Sequence, residues 1–261
     1  RINLIFILFK LYIFLYYFIL DCNTLYSVTK LVCMAKIESS LPVILLTVPK
    51  DKLYTISGNM LGVGSMRPGS RTKNGIIRGN ARSQMTMWAS SIDYLREDVY
   101  SYFKVGSLVP YPNLQLEHHA GKAITQYRFE TSASPVLTCL QKLWYKREPT
   151  QNKFIKIVTS CIEPMFSPKS LAHWIMVDGY FDNYGRTQTV ILCTESLTKE
   201  ECITLQNLLL KYDLISTLKV RNKLTNRYRI RISKLSLPKV RELVEPNLHS
   251  SFLYKLGNYF L

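Results

Sequence analysis

The sequence predicts an α/β protein built as two pseudo-symmetric halves, each running helix, two strands, helix, two strands, helix. Three observations lead there. Segments with apolar residues at helical spacing alternate with short segments of period-two alternation, the pattern of mixed helices and strands. The order of segments in residues 45–150 recurs in residues 151–261. Each half also opens on a helix-like run that stops at a glycine. The first is ISGNMLGVG, Ile56 to Gly64, and the second is LAHWIMVDG, Leu171 to Gly179. Aligning the two runs sets Val63 opposite Asp178.

Taken in order, Leu53 to Val63 reads as a short helix. Ala81 to Ala89 (ARSQMTMWA) reads as a strand. Ser91 to Phe103 reads as an amphipathic helix through Ile92, Leu95, Val99 and Phe103. Ala123 to Ser132 alternates as a strand, and Pro135 begins a helix through Leu137, Leu140 and Trp144. The polar stretch KREPTQNK, Lys146 to Lys153, reads as a linker between the halves. In the second half, Ser167-Pro168 is a cap-plus-proline start for the Leu171 to Val177 helix. Thr187 to Thr194 is a strand. Thr198 caps a helix reaching Tyr212, with Glu201 at the reciprocal capping position. Thr217 to Lys234 reads as paired strands, and Leu237 to Val244 is a last helix stopped by Pro246.

Formal net charge is +16 and the isoelectric point is near 9.6, so the partner is polyanionic: nucleic acid or an anionic membrane surface. The location of the charge discriminates between them. Thr217 to Lys234 carries Lys219, Arg221, Lys223, Arg227, Arg229, Arg231 and Lys234 with no acid. At period two, Arg227, Arg229 and Arg231 share one face and Tyr228, Ile230 and Ile232 the other. Gly64 to Trp88 carries Arg67, Arg71, Lys73, Arg78 and Arg82, again with no acid, and Arg82, Gln84 and Thr86 alternate on one side. A membrane surface favours a basic amphipathic helix. Charge on strand-like segments instead suits phosphates and base edges read by a β-ribbon.

Other chemistries find little support. The six cysteines form no C-x-x-C pair and, with the four histidines, no zinc spacing, so they read as reduced thiols. Glu117-His118-His119 reads as a surface loop. Gly62, Gly64 and Gly69 miss the dinucleotide spacing and follow a helix rather than a strand. Leu4 to Leu20 is apolar apart from Lys10 and reaches the lower limit of a membrane span. It reads either as a dispensable leader (residues 1–44, with Met34 the first plausible start) or as a membrane anchor. It lacks the cleavage site of a secretory signal.

With these residues in view, the chain resembles the LAGLIDADG homing endonucleases, in particular the monomeric, two-motif branch encoded by organellar introns. The likeness covers about residues 45–257. It is carried by ISGNMLGVG and LAHWIMVDG, by KIVTSCIEPMFSPKSLAHWIMVDG (Lys156 to Gly179), by SLTKEE (Ser196 to Glu201) and by FLYKLG (Phe252 to Gly257). The resemblance implies two saddle-shaped antiparallel sheets that hold duplex DNA, and two motif helices packed closely through small residues such as Gly58 and Ala172. It implies a monomer that cuts a specific double-stranded DNA site with Mg²⁺, in a mitochondrion or plastid. By position it implies Asp178 as the metal-binding catalytic acid, Lys156 and Lys255 as basic residues beside it, and Gln84 as a polar residue of the first half. Val63 stands where the first motif carries its acid, so the resemblance leaves a second role open: an intron maturase that binds RNA without cleavage. Every residue carrying the likeness follows Met34, so a chain beginning at Met34 is expected to be soluble and to unfold cooperatively. Precipitation of that chain, with the full chain stable only in detergent, would instead establish an anchor.

Overall fold

The computed structural model describes residues 41–73, 76–100, 107–112, 125–148, 153–184, 188–222 and 224–257. Residues Val43–Leu261 form one compact unit, and Arg1–Pro42 fall in another. The apolar run at 4–20 and the histidine pair at 118–119 lie outside the described residues. Among the described residues, no helix is long and apolar enough to cross a membrane.

After a short α1 (Val43–Leu46), the first half consists of α2 (Lys50–Leu61), β1 (Ser65–Arg67), a small hairpin of β2 (Ser70–Arg71) and β3 (Ile77–Arg78), β4 (Arg82–Trp88), α3 (Ile92–Tyr94) continued by a π-helical segment Leu95–Tyr100, β5 (Ser107–Pro112), β6 (Thr125–Glu130) and α4 (Pro135–Trp144). The ribbon β7 (Tyr145–Glu148) and β8 (Lys153–Lys156) follows. The second half is α5 (Pro168–Asp178), β9 (Gly179–Asp182), β10 (Thr189–Cys193), α6 (Lys199–Leu210), β11 (Ser216–Asn222), β12 (Arg227–Ile232) and α7 (Leu237–Val244). Its chain ends in a 3-10 segment, Ser250–Leu256. The sheets run β1-β4-β6-β5 and β9-β10-β12-β11 with antiparallel neighbours. The two orders are the same, with the β2–β3 hairpin added between the first two strands of the first half.

Register sorts the residues of each sheet by face. In the second, Arg227, Arg229 and Arg231 lie with Lys219, Cys193, Ile191, Tyr180 and Asp182, while Ile230, Ile232, Leu192 and Val190 are buried on the other side. In the first, Arg67, Arg82, Gln84, Thr86 and Arg128 share a face with Glu130, and Met66, Met85, Met87 and Phe129 are buried opposite. Period-two alternation therefore gives each sheet a core face and a largely polar face, as in an antiparallel sheet covered on one side, except along β10, where Thr189 and Ile191 on the polar side are buried too.

The expected linker is instead a ribbon. Tyr145 pairs with Lys156 and Glu148 with Lys153. Its polar composition hid it, because backbone pairing rather than an apolar stripe holds it. Tyr145 fastens it to the first sheet, its hydroxyl accepting from Met66 N at 3.0 Å.

Helices α2 and α5 lie side by side in the core. From Thr55 to Leu61 and from Ser170 to Val177 every residue is buried, so these stretches have no solvent face and no amphipathic stripe. Their approach depends on glycine. A Cβ on Gly58 would lie 2.4 Å from Ser170 O, and one on Gly62 would lie 2.4 Å from Val177 Cγ2. Ala172 is buried too, but the tight contacts fall on Gly58 and Gly62. One polar cluster bridges the pair. Tyr94 OH donates to Asn59 Oδ1 at 3.0 Å, which uses its single proton. His173 Nδ1, 2.9 Å from the same oxygen, must then donate to it, and His173 Nε2 accepts from Thr55 Oγ1 at 3.3 Å. The ring is neutral: burial, helped by Lys169, lowers its pKa to about 3.

Gly58→Ala is expected to destabilise the fold by about 2–4 kcal/mol in urea unfolding, because the new methyl meets backbone that cannot swing aside. In an exposed helix the same change stabilises by about 1 kcal/mol. A gain in stability would show that the helices have room to separate.

Candidate active site

The two helices end beside each other. Helix α5 starts at Ser167-Pro168, where Ser167 N donates to Ser170 Oγ at 3.1 Å, and stops where Gly179 turns extended and enters β9. The corner leaves Asp178 half-buried after a run of fully buried residues. A Cβ on Gly62 would lie 2.9 Å from Asp178 Cβ, so the carboxylate stands at the end of α2 as well. On that side Val63 is 40% exposed and offers no polar atom.

Both predicted lysines reach this junction, each bound to the end of one helix. Lys156 Nζ donates to Gly62 O at 2.7 Å and Gly64 O at 3.0 Å. Lys255 Nζ donates to Ile175 O at 3.2 Å and Met176 O at 2.6 Å. Carbonyls at a helix C-terminus carry partial negative charge that an ammonium group neutralises, and Lys255 does so even for Ile175 O, which also accepts from Gly179 N. Lys255 is held there by the 3-10 segment, which closes on Gly257 at φ 84°, packed against the Phe181 ring. Burial lowers both lysines from 10.5 to about 8, with Asp178 opposing the shift in each. Both stay charged at neutral pH.

Arg229 completes the ring of cations and was missed in this role. Sequence reading set it with Arg227 and Arg231 on a face for nucleic acid. The register keeps it on that face, but its guanidinium is fixed: Nε donates to Glu195 Oε1, and one terminal nitrogen donates to Tyr180 OH at 2.9 Å. Glu195 follows Ile191 and Cys193 at period two, a signal that could have revealed it. Burial raises Asp178 from 3.8 to about 6, and Glu195 adds to the shift, while Lys156, Lys255 and Arg229 oppose it. Asp178 and Glu195 are hard oxygen donors suited to a divalent cation at the α5 end. Among the described residues no group of three or more His, Cys, Asp or Glu converges for a metal.

The remaining candidates spread over the two sheets. Gln84 pairs across the strands with Ser65 and Glu130 and has no described contact with Asp178. Arg67, Arg71, Lys73 and Arg82 are exposed around the β2–β3 hairpin. With Arg78 and Glu130, all but Lys73 line a cleft of about 580 Å³. Lys219, Arg221 and Arg227 are exposed on the second sheet, Arg231 is half-buried, and Lys223 lies outside the described residues. The expectation of acid-free basic faces needs correction. Arg82 pairs with Glu130 at 3.1 Å, Lys219 with Asp182 at 3.5 Å and Arg229 with Glu195. Those acids come from neighbouring strands and loops, so no local run of sequence displays them.

A sequence profile of the LAGLIDADG DNA endonuclease family matches residues 53–240, which hold α2 from Leu53 onward, all of α5 and both sheets. The chain belongs to this family. DNA endonuclease I-ChuI of Chlamydomonas applanata is 22% identical over 212 residues, covering 80% of this chain and 94% of that protein. Cytochrome b mRNA maturase bI2 of Saccharomyces cerevisiae is 29% identical over 139 residues, covering 53% of this chain and 32% of the maturase. Among solved structures, the homing endonuclease I-WcaI bound to its DNA recognition sequence superposes with a TM-score of 0.65 at 22% identity, covering 85% of this chain and 91% of that one. In LAGLIDADG terms, α2 and α5 are the two motif helices.

Because Asp178 has a higher pKa folded than unfolded, its contribution to stability is whole below about pH 4 and is lost as pH rises through about 6. In chelator, Asp178→Asn is therefore expected to overtake the native chain in stability across that window. The gain should level off near about 1–2 kcal/mol once solvent screening is allowed for. Urea titrations of both proteins at a series of pH values measure it, and parallel curves would refute it.

Proposed function

We propose that this chain is a site-specific endonuclease of double-stranded DNA, encoded within an intron of a mitochondrial or plastid gene and acting as a monomer. The carrying observation is the convergence of Lys156, Lys255 and Arg229 on the one carboxylate that terminates a motif helix, Asp178. Such a site receives a phosphodiester. The cations offset the phosphate charge, and the first half supplies Arg67, Arg71, Lys73, Arg82 and Gln84 on one side and the second sheet Lys219, Arg221, Arg227 and Arg231 on the other. Asp178, with Glu195 near it, would hold Mg²⁺. A divalent ion held there would supply a lowered water pKa and stabilisation of charge developing on the phosphate. Lys156 and Lys255, preorganised by carbonyl hydrogen bonds, add electrostatic stabilisation without reorganising.

Cleavage is one-sided in this reading. Val63 gives the first helix no ligand, so one strand is cut more readily than the other. The same residue favours a second role, binding of intron RNA as a maturase, which uses the basic faces and needs no paired acids.

On a supercoiled plasmid carrying the intronless target, with magnesium, the chain is expected to give nicked circles with little linear product, and Asp178→Ala is expected to give neither. Efficient linearisation by the native chain would overturn the one-sided site. Replacing Arg227 and Arg231 together by alanine is expected to weaken duplex binding and reduce its salt dependence by about 0.9 log unit per lost phosphate contact. An unchanged slope would place the binding face elsewhere.

A further inference from the structure

The two lysines at the helix ends are not equivalent. In the register that sets Val63 on Asp178, Gly62 and Gly64 correspond to Val177 and Gly179. Lys156 binds the carbonyls immediately before and after Val63, at 2.7 and 3.0 Å. Lys255 binds those of Ile175 and Met176, further back along α5 from Asp178. The half that has lost its acid therefore has an ammonium group on the oxygens flanking the lost position. The half that keeps its acid has its lysine set back from it.

We propose that the Lys156 ammonium is a resident cation at the Val63 end of the helix pair, standing where a divalent ion would otherwise sit, so that the junction takes a divalent ion at the Asp178 end alone. This rests on the endonuclease reading and deepens it.

Three features support the assignment. The oxygens Lys156 holds, Gly62 O at the C-cap of α2 and Gly64 O just past it, are hard donors, the kind of group that binds a cation. Val63 brings no charge to balance a dication, whereas a single positive charge is matched by the helix end and by Asp178. Lys156 is also rigidly delivered. It ends β8 opposite Tyr145, Ile157 N donates to Trp144 O at 2.9 Å, and Tyr145 OH is anchored to Met66 N. Two consequences follow. The first helix is closed to metal by an occupied site as well as by a missing ligand. A carboxylate restored at position 63 would pair with Lys156 rather than recruit a second ion.

The test counts Mn²⁺ bound to the full chain without DNA, by electron paramagnetic resonance of the free ion, with thermal melting to confirm folding. The native chain is expected to bind one ion, lost in Asp178→Asn. Val63→Asp is expected to bind one as well, and Val63→Asp with Lys156→Met to bind two. If Lys156→Met impairs folding, Lys156→Gln replaces it, removing the charge while keeping a hydrogen-bond donor. A second ion in the native chain or in Val63→Asp alone would overturn the inference. So would a folded double variant that gains none. Absence of the ion assigned to Asp178 would count against the endonuclease reading, and the comparison of Val63→Asp with the double variant would still decide the role of Lys156.

Discussion

The close contact of α2 with α5 is the constraint from which the rest of the molecule follows. Gly58 against the Ser170 carbonyl and Gly62 against the Val177 side chain bring the buried stretches of the two helices together, with no side chain contributed by α2 at those points. A contact that tight fixes the relative placement of the chain ends leaving the helices. Val63 and Asp178 therefore arrive beside each other, and β1 and β9 depart from the same region into their sheets. The neutral His173, locked between Tyr94 and Thr55, satisfies polar atoms in an interface where an unpaired group would be costly.

Bringing two helix C-termini together concentrates negative partial charge, and Asp178 adds a full charge to it. The protein answers with Lys156 and Lys255 on the carbonyls and Arg229 beside the carboxylate. The cations lower the cost of ionising Asp178 but do not remove it, which is why its pKa stays above the ordinary carboxylate range. Three cations, Lys156, Lys255 and Arg229, stand here against two acids, Asp178 and Glu195, so the junction is locally positive. Glu195 serves two purposes in this arrangement: it orients Arg229 and adds a second carboxylate near Asp178.

Partial pairing also tempers the basic sheet faces. Arg82, Lys219 and Arg229 each have a carboxylate partner, while Arg67, Lys73, Arg221 and Arg227 project into solvent. Solvent-accessible ion pairs such as those of Arg82 and Lys219 are weak, about 0–1 kcal/mol. The half-buried Arg229 network is firmer and belongs to the junction rather than to the face around it.

The sequence by itself determined most of the element order, the caps at Ser167 and Thr198, the opposition of Val63 to Asp178 and the alternation that gives each sheet a basic face. These are local properties: each needs only a periodicity of two or about 3.6, or a capping residue a few positions from its partner. It also reached Lys156 and Lys255, through the resemblance. Only the tertiary structure decided what those residues touch. That Lys156 closes the Val63 end while Lys255 stands back from Asp178 depends on where a polar ribbon and a terminal 3-10 segment dock. That Glu130, Asp182 and Glu195 meet basic strands depends on register between segments far apart in the chain. Gly62 became a contact residue only when the helices were seen to cross there. In each case the deciding quantity is a distance between elements, set by packing that no single stretch of the chain encodes.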